Sequence, residues 1–364
     1  MASTGSPRLV RWDVVAFRHF TDTQSFSTVE DAVAALVQAL SSCTRRVGGM
    51  WVFRTTGNAA GWKAAYKLPF NEPISVLVRS HDGISKRYSF QNLLNLALLY
   101  GDDLLAPSFT YDPRACAALP FNVLNLFLGF AASPSPLVEN GAAIIAPILD
   151  HIRMVWADND EDTYAFIMSW LATVARGLRT GVACLIYNLH TDYCLKDIFQ
   201  FFGTRVFGNT NSSVSSTVCV HPCLNAGPSR FATQLKGGVP GCVFVGFYEL
   251  EDAYFARERD WFDNKRVLRD MGDLVTRDTV DLQLYVTKTR TFKSTTRVNN
   301  CANLLMTGLF REPVREHSWL RQFRGGHVHD PDGSASKAVE EATRAVGAAD
   351  AMLQHLLTLP PLVV

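Results

Sequence analysis

The chain lacks most of the features that would place it outside the ordinary globular class. Its longest apolar runs, around residues 123–132 and 142–149, are too short and interrupted to span a bilayer, so no membrane contact is expected. Its start carries no basic segment followed by an apolar one, so no secretory leader is expected. Neither sign of charge dominates: 35 Lys and Arg against 34 Asp and Glu leave +1, which argues against coating nucleic acid over the whole surface and leaves a local basic patch as the electrostatic route. No basic run reads as a nuclear import signal, and no internal repeat is visible. The eight cysteines (Cys43, Cys116, Cys184, Cys194, Cys219, Cys223, Cys242 and Cys301) form no spaced framework, and several lie inside apolar runs. Buried, reduced thiols in an intracellular, reducing compartment are the expectation. Cys219-Val-His-Pro-Cys223 has no second Cys or His pair to complete four ligands; His317, His327 and His329 lie far along the chain, so no metal is expected.

What is present is enough apolar sequence for a large core: 364 residues, 48% hydrophobic and 19% charged, the balance of a soluble globular protein with room for two domains. After a polar tail over residues 1–12, Val29–Leu40 has helical spacing behind Ser27 and Thr28 as caps. Residues 51–53 and 74–78 read as strands with a turn at 57–61, and residues 89–99 as a helix. Together they predict a small α+β module over residues 1–110. Residues 144–157 and 162–178 are amphipathic helices. Three short apolar runs, 182–187, 242–247 and 303–307, read as buried strands, with a helix over 262–274 and an exposed Ser/Asn-rich loop at 209–217. Buried strands alternating with helices predict a parallel sheet. A polar linker at 325–336 and one Ala-rich terminal helix at 337–357 complete the reading.

The chain is organised around Gly181–Gly203. A buried strand, a tight connection and a helix-like stretch over Leu195–Phe202, ending at Gly203, form the frame of a phosphate-binding loop. The connection itself, Asn188-Leu-His-Thr-Asp-Tyr-Cys194, has no glycine and no Lys-Ser/Thr pair. Backbone N–H groups free to face phosphates, a lysine for the terminal phosphates and a hydroxyl for magnesium are the working parts of such a loop. Lys196 and Asp192 are the nearest candidates for nucleotide contact.

Phe121-Asn-Val-Leu-Asn-Leu-Phe-Leu-Gly-Phe130, the helix at 148–155, and Asp160-Glu-Asp-Thr-Tyr-Ala-Phe-Ile-Met-Ser-Trp-Leu171 follow one another in an order that resembles one family. It is the helicase part of viral and mobile-element primase-helicases of helicase superfamily three, and the resemblance runs from about residue 107 to residue 324. It implies an AAA-type parallel sheet flanked by helices over residues 181–330, a helical collar-like segment over 111–180, and a linker and helix over 331–364. It also implies a set of nucleotide residues that this chain keeps only in part. The paired acids after the second strand fall at Tyr248-Glu249, with Glu251 and Asp252 behind; the sensor asparagine falls near Thr307-Gly308 and is absent; the arginine finger falls at Arg321. Glu249 and Arg321 are therefore vestigial catalytic candidates. The basic turn between the second and third strands matches the family's DNA-contacting hairpin, which gives Lys288, Arg290, Phe292, Lys293 and Arg297 as candidates for phosphate contact and base stacking.

The expectation is a catalytically degenerate helicase-like protein in viral or mobile-element DNA replication, holding single-stranded DNA or supporting an active helicase-primase, alone or as a homo-oligomer, in the host nucleus or cytoplasm or the virion. No cofactor is expected. The alternatives are an active ATP-dependent helicase with an atypical phosphate loop, which would use ATP and Mg, and a virion or scaffold protein on a recruited fold.

Overall fold

The computed structural model describes residues 25–41, 44–47, 50–55, 61–65, 75–79, 83–89, 92–93, 95–96, 108–114, 123–127, 129–135, 140–188, 194–208, 218–222, 242–250, 265–285, 292–308, 313, 316–326, 330 and 332–363. The N-terminal part begins with β1 (Ser25–Phe26) and α1 (Val29–Ser41), whose first turn is capped by the Thr28 hydroxyl accepting the Asp31 N–H at 3.0 Å. Three antiparallel strands follow, β2 (Thr44–Val47), β3 (Met50–Thr55) and β4 (Gly61–Ala65), and then β5 (Ser75–Arg79) and β6 (Ser85–Ser89). β5 pairs parallel with β1 and antiparallel with β6, and α1 packs against β1, β2 and β5. Helical turns at 92–93 and 95–96 are what the described residues contain of the helix expected at 89–99. β7 (Ser108–Thr110) and β8 (Val123–Asn125) form a parallel pair. β8 lies inside the aromatic phrase 121–130.

α2 (Gly141–His151) continues into a wider π-helical turn, Ile152–Trp156, and α3 (Glu161–Ala175) opens on Asp160, whose carboxylate accepts the Thr163 N–H at 2.7 Å. The main sheet contains β9 (Ala183–Tyr187), β10 (Val218–Pro222), β11 (Phe244–Leu250), β14 (Asn303–Gly308) and β15 (Leu320–Arg324). Between β11 and β14 come α5 (Lys265–Thr276) and an antiparallel hairpin of β12 (Thr279–Tyr285) and β13 (Phe292–Asn299); α4 (Leu195–Gln200) follows β9. The sheet order is β10-β11-β14-β9-β15 and every pairing is parallel. Its first strand in sequence therefore sits inside, with the fourth between it and the third. This is the α/β, P-loop-like parallel sheet flanked by helices that the sequence led us to expect.

Strand periodicity decides the layers. Cys184, Ile186, Phe244, Tyr248 and Leu305 point to one face and join the cluster built by α2, α3, α4 and the C-terminal helices. Ala183, Leu185, Val245, Phe247, Leu304 and Met306 point to the other, against Met271, Leu274 and Val275 of α5. Burial on both faces explains why these strands read as unbroken apolar runs. Gly246 of β11 lets α4 come close: a Cβ there would lie 2.6 Å from the Phe199 ring.

Two boundaries differ from the sequence reading. The helix after β9 does not stop at Gly203; α4 runs on as a π-helical segment, Phe201–Val206, because Phe201, Phe202, Val206 and Phe207 are all buried there. Burying four such side chains at about 1.5–3 kcal/mol each outweighs a mid-helix glycine at about 1 kcal/mol. The single terminal helix is two, α6 (Ser334–Arg344) and α7 (Ala348–Thr358), broken where Ala345 is extended and Gly347 takes φ 78°. Arg205 donates to the Thr343 and Ala345 carbonyls at the end of α6, and Arg176 donates to the Leu356, Leu357 and Leu359 carbonyls at the end of α7. Cations on carbonyls left over at helix C-termini are favourable twice, by hydrogen bond and by dipole. Asp350 of α7 accepts the Ser133 N–H at 2.8 Å, so the C-terminal pair is fastened at both ends. No helix among the described residues is long and apolar enough to cross a membrane.

Candidate functional site

The carboxyl ends of β9, β14 and β11 are where an open parallel sheet presents a ligand crevice. β9 delivers Tyr187 and then Asn188, which takes the left-handed φ of 61° as the chain leaves the strand. α4 begins just after Cys194, and Asp192 lies outside the described residues. Lys196 is the second residue of α4 and is exposed, with Asp197 beside it in the same first turn. A carboxylate in a helix's first turn complements the positive end of the helix dipole, the place an incoming phosphate would take.

The end of β15 lies along the end of β9: the Gly325 N–H donates to the Tyr187 carbonyl at 2.7 Å, and the Gly326 N–H to the Val155 carbonyl at 2.7 Å. Gly326 has no room for a side chain, since a Cβ would stand 2.6 Å from both Asp158 Oδ1 and the Met154 carbonyl. From there the chain reaches Asp330, whose carboxylate accepts the Ala335 N–H at 3.2 Å, the Ser336 N–H at 2.9 Å and the Ser336 hydroxyl at 2.8 Å. These bonds, the Ser336 N–H first, hold the Asp330 carboxyl below the usual carboxylate range. The Cys194 thiol donates to the Ser336 carbonyl at 3.4 Å, which brings the start of α6 onto the start of α4. The sequence reading held 325–336 to be a linker and missed this contact, because nothing local relates Cys194 to a residue 142 positions away.

Thr307 stands near the end of β14, in register with Ile186, where the sensor residue would fall. It is fully buried, and its hydroxyl has no hydrogen-bond partner among the described residues. The backbone of Glu249 lies in the last part of β11, one residue beyond buried Tyr248; Glu251 and Asp252 fall outside the described residues. Arg321 is exposed on the edge strand β15, paired in register with Cys184 and so below the strand ends. That segment is a strand was not read from sequence: Arg321, Gln322 and Arg324 interrupt the apolar pattern because β15 is an edge. β10 was likewise missed, and it places Cys219 and His221 on alternate positions of a strand beside β11. Cys223, His327 and His329 lie outside the described residues, among which no cluster of three or more His, Cys, Asp or Glu suits a metal ion.

Of the basic hairpin, Lys288 and Arg290 fall outside the described residues, while Phe292 and Lys293 begin β13. Arg297 is exposed, its Nε donating to the Thr279 hydroxyl at 2.8 Å, and it stands directly across from Asp281. The hairpin's base is fixed: β13 lies against β7 and β12 against β4, with Val298 in the main core. Cys184, Cys194, Cys242 and Cys301 are buried thiols; burial pushes the Cys301 thiol up to about 12 and the Cys184 thiol higher still, so neither of these two is a nucleophile at neutral pH.

No protein-family model and no curated protein matches the sequence. Among solved structures, the chain is similar to the C-terminal region of NrS-1 in its apo form, with 13% identity and a TM-score of 0.45 over 86% of this chain and 70% of that one. Two structures of the A form of the same region give 11% identity with a TM-score of 0.43 over 80% and 68% of the two chains, and 12% with 0.43 over 77% and 63%.

Proposed function

We propose that this chain is a catalytically degenerate relative of the superfamily-three helicases, a replication-related protein that holds single-stranded DNA without ATP turnover and supports an active helicase-primase. One observation carries the reading. The sheet has a P-loop-like order, and the helix after its first strand opens with Leu195-Lys196-Asp197 behind a connection with no glycine and no Lys-Ser/Thr pair. Without those groups, a γ-phosphate loses several charge-assisted hydrogen bonds worth about 1.5–3 kcal/mol each. Asp197 supplies negative charge in the first turn of that helix, where a phosphate would need positive.

The basic hairpin is the DNA-holding element in this reading. Its anchored base suits a static grip rather than a stroke driven by nucleotide. Changing Lys288, Arg290 and Lys293 to Glu is expected to weaken binding of a labelled oligothymidine severalfold, read by fluorescence anisotropy at low salt, while leaving the thermal melt unchanged. Undiminished binding would remove DNA from the hairpin and favour a scaffold role for the fold.

A further inference from the structure

Charge is unevenly divided along this chain. Between residues 44 and 89 there are eight Lys and Arg against two Asp and Glu, a net of +6, whereas the whole chain totals +1, so all other residues sum to −5. This stretch is the one that folds into β2 to β6. β6 is an edge strand, and Ser85, Lys86, Arg87 and Ser89 along it are exposed. Arg79 is exposed on the neighbouring strand opposite Ser85, and Ile84 stands 63% exposed just before β6. The Lys86 ammonium lies over the half-buried Tyr88 ring, 5.1 Å from its centroid. A cation–π contact fixes a lysine on the sheet without neutralising its charge. Strand alternation turns Lys86 and Tyr88 to one side of this edge and Arg79 and Arg87 to the other, so a single strand laid along the edge meets cations on both sides and a ring on one: phosphates for the cations, an unstacked base face for the ring. A duplex would hide that base face.

We propose that the edge of the β1-β5-β6 sheet, through Arg79, Lys86, Arg87 and Tyr88, is a second binding surface for single-stranded DNA. It stands independently of the hairpin reading.

The test is anisotropy with a labelled oligothymidine across a salt series, on the full chain. The R79E/K86E/R87E variant is expected to bind at least tenfold more weakly at low salt. Its slope of log affinity against log salt should be shallower by about 2, the share of three phosphate contacts on a single strand. Tyr88→Ala should weaken binding severalfold and leave the slope alone, because stacking releases no counterions. Photo-crosslinking with an iodouracil-substituted oligonucleotide should label the peptide containing Tyr88 in wild type and in the hairpin variant K288E/R290E/K293E alike. An affinity and slope unchanged in R79E/K86E/R87E would overturn the proposal, as would crosslinks confined to the hairpin or a wild type that binds no oligonucleotide.

Discussion

Asn303 joins three segments through one side chain. Its Oδ1 accepts the Thr180 N–H at 2.6 Å, and its Nδ2 lies 2.9–3.0 Å from the carbonyls of Leu178, Val243 and Cys301. It is fully buried at the amino end of β14, so it ties the entries of β9 and β11 to the strand between them. Nearby Asn300 closes the end of α5 in the same manner, donating to the Leu274 and Arg277 carbonyls at 2.6 and 2.9 Å. Replacing Asn303 by Leu keeps the branched shape and the number of heavy atoms and leaves these groups buried without partners. At about 1–3 kcal/mol for each buried group left unmade, partly offset by relaxation, the loss is expected to be about 3–5 kcal/mol in denaturant unfolding. A loss below 1 kcal/mol would mean the segments are held by the surrounding core alone. At this same scale, Thr307 and Lys196 bear on the proposed function: one is a buried hydroxyl where an ATPase of the kind the sequence resembles would carry its sensor, the other an exposed lysine where it would carry its phosphate clamp.

At the scale of elements, the C-terminal pair depends on two arginines more than on its own sequence. Arg176 gathers carbonyls from two helix ends, Ala172 of α3 and Leu356, Leu357 and Leu359 at the end of α7. Arg176→Ala is expected to cost about 2–4 kcal/mol, with hydrogen bonds to a charged group counted at about 1.5 kcal/mol or more each. Hydrogen exchange should show α7 losing protection ahead of the main sheet. Arg176→Lys should rescue little, since one ammonium cannot span the fork. Unchanged protection of α7 in Arg176→Ala would show that its apolar face alone holds it. How much of this was legible follows from what each element buries. β9, β11 and β14 are covered on both faces, so 182–187, 242–247 and 303–307 announce themselves as apolar runs. β15 has only Leu320 and Phe323 turned inward, and its arginines hid the strand. The break between α6 and α7 was hidden because Ala-rich spacing runs through it, and only the positive φ of Gly347 marks the corner. The frame of the site was readable because it is local: strand, connection, helix. Its closure by Asp330 and Ser336 was not, because it is a tertiary contact.

Across the whole molecule, one buried cluster takes Val52 of β3, Phe109 of β7, Val298 of β13, Ile186 of β9 and Leu356 of α7. The basic strands, the hairpin, the sheet and the C-terminal helices therefore share a core, and Val298 anchors the hairpin's base in it. That arrangement supports the proposed reading of a protein that grips a strand at rest. The measurement that bears most directly on this account is steady-state ATP hydrolysis by the purified protein with magnesium, with and without oligothymidine, beside its Glu249→Gln variant. The account predicts no turnover above background in either protein, with or without DNA. Turnover by the wild type that DNA stimulates and Glu249→Gln abolishes would contradict it and make the chain a working helicase with a phosphate loop of another design.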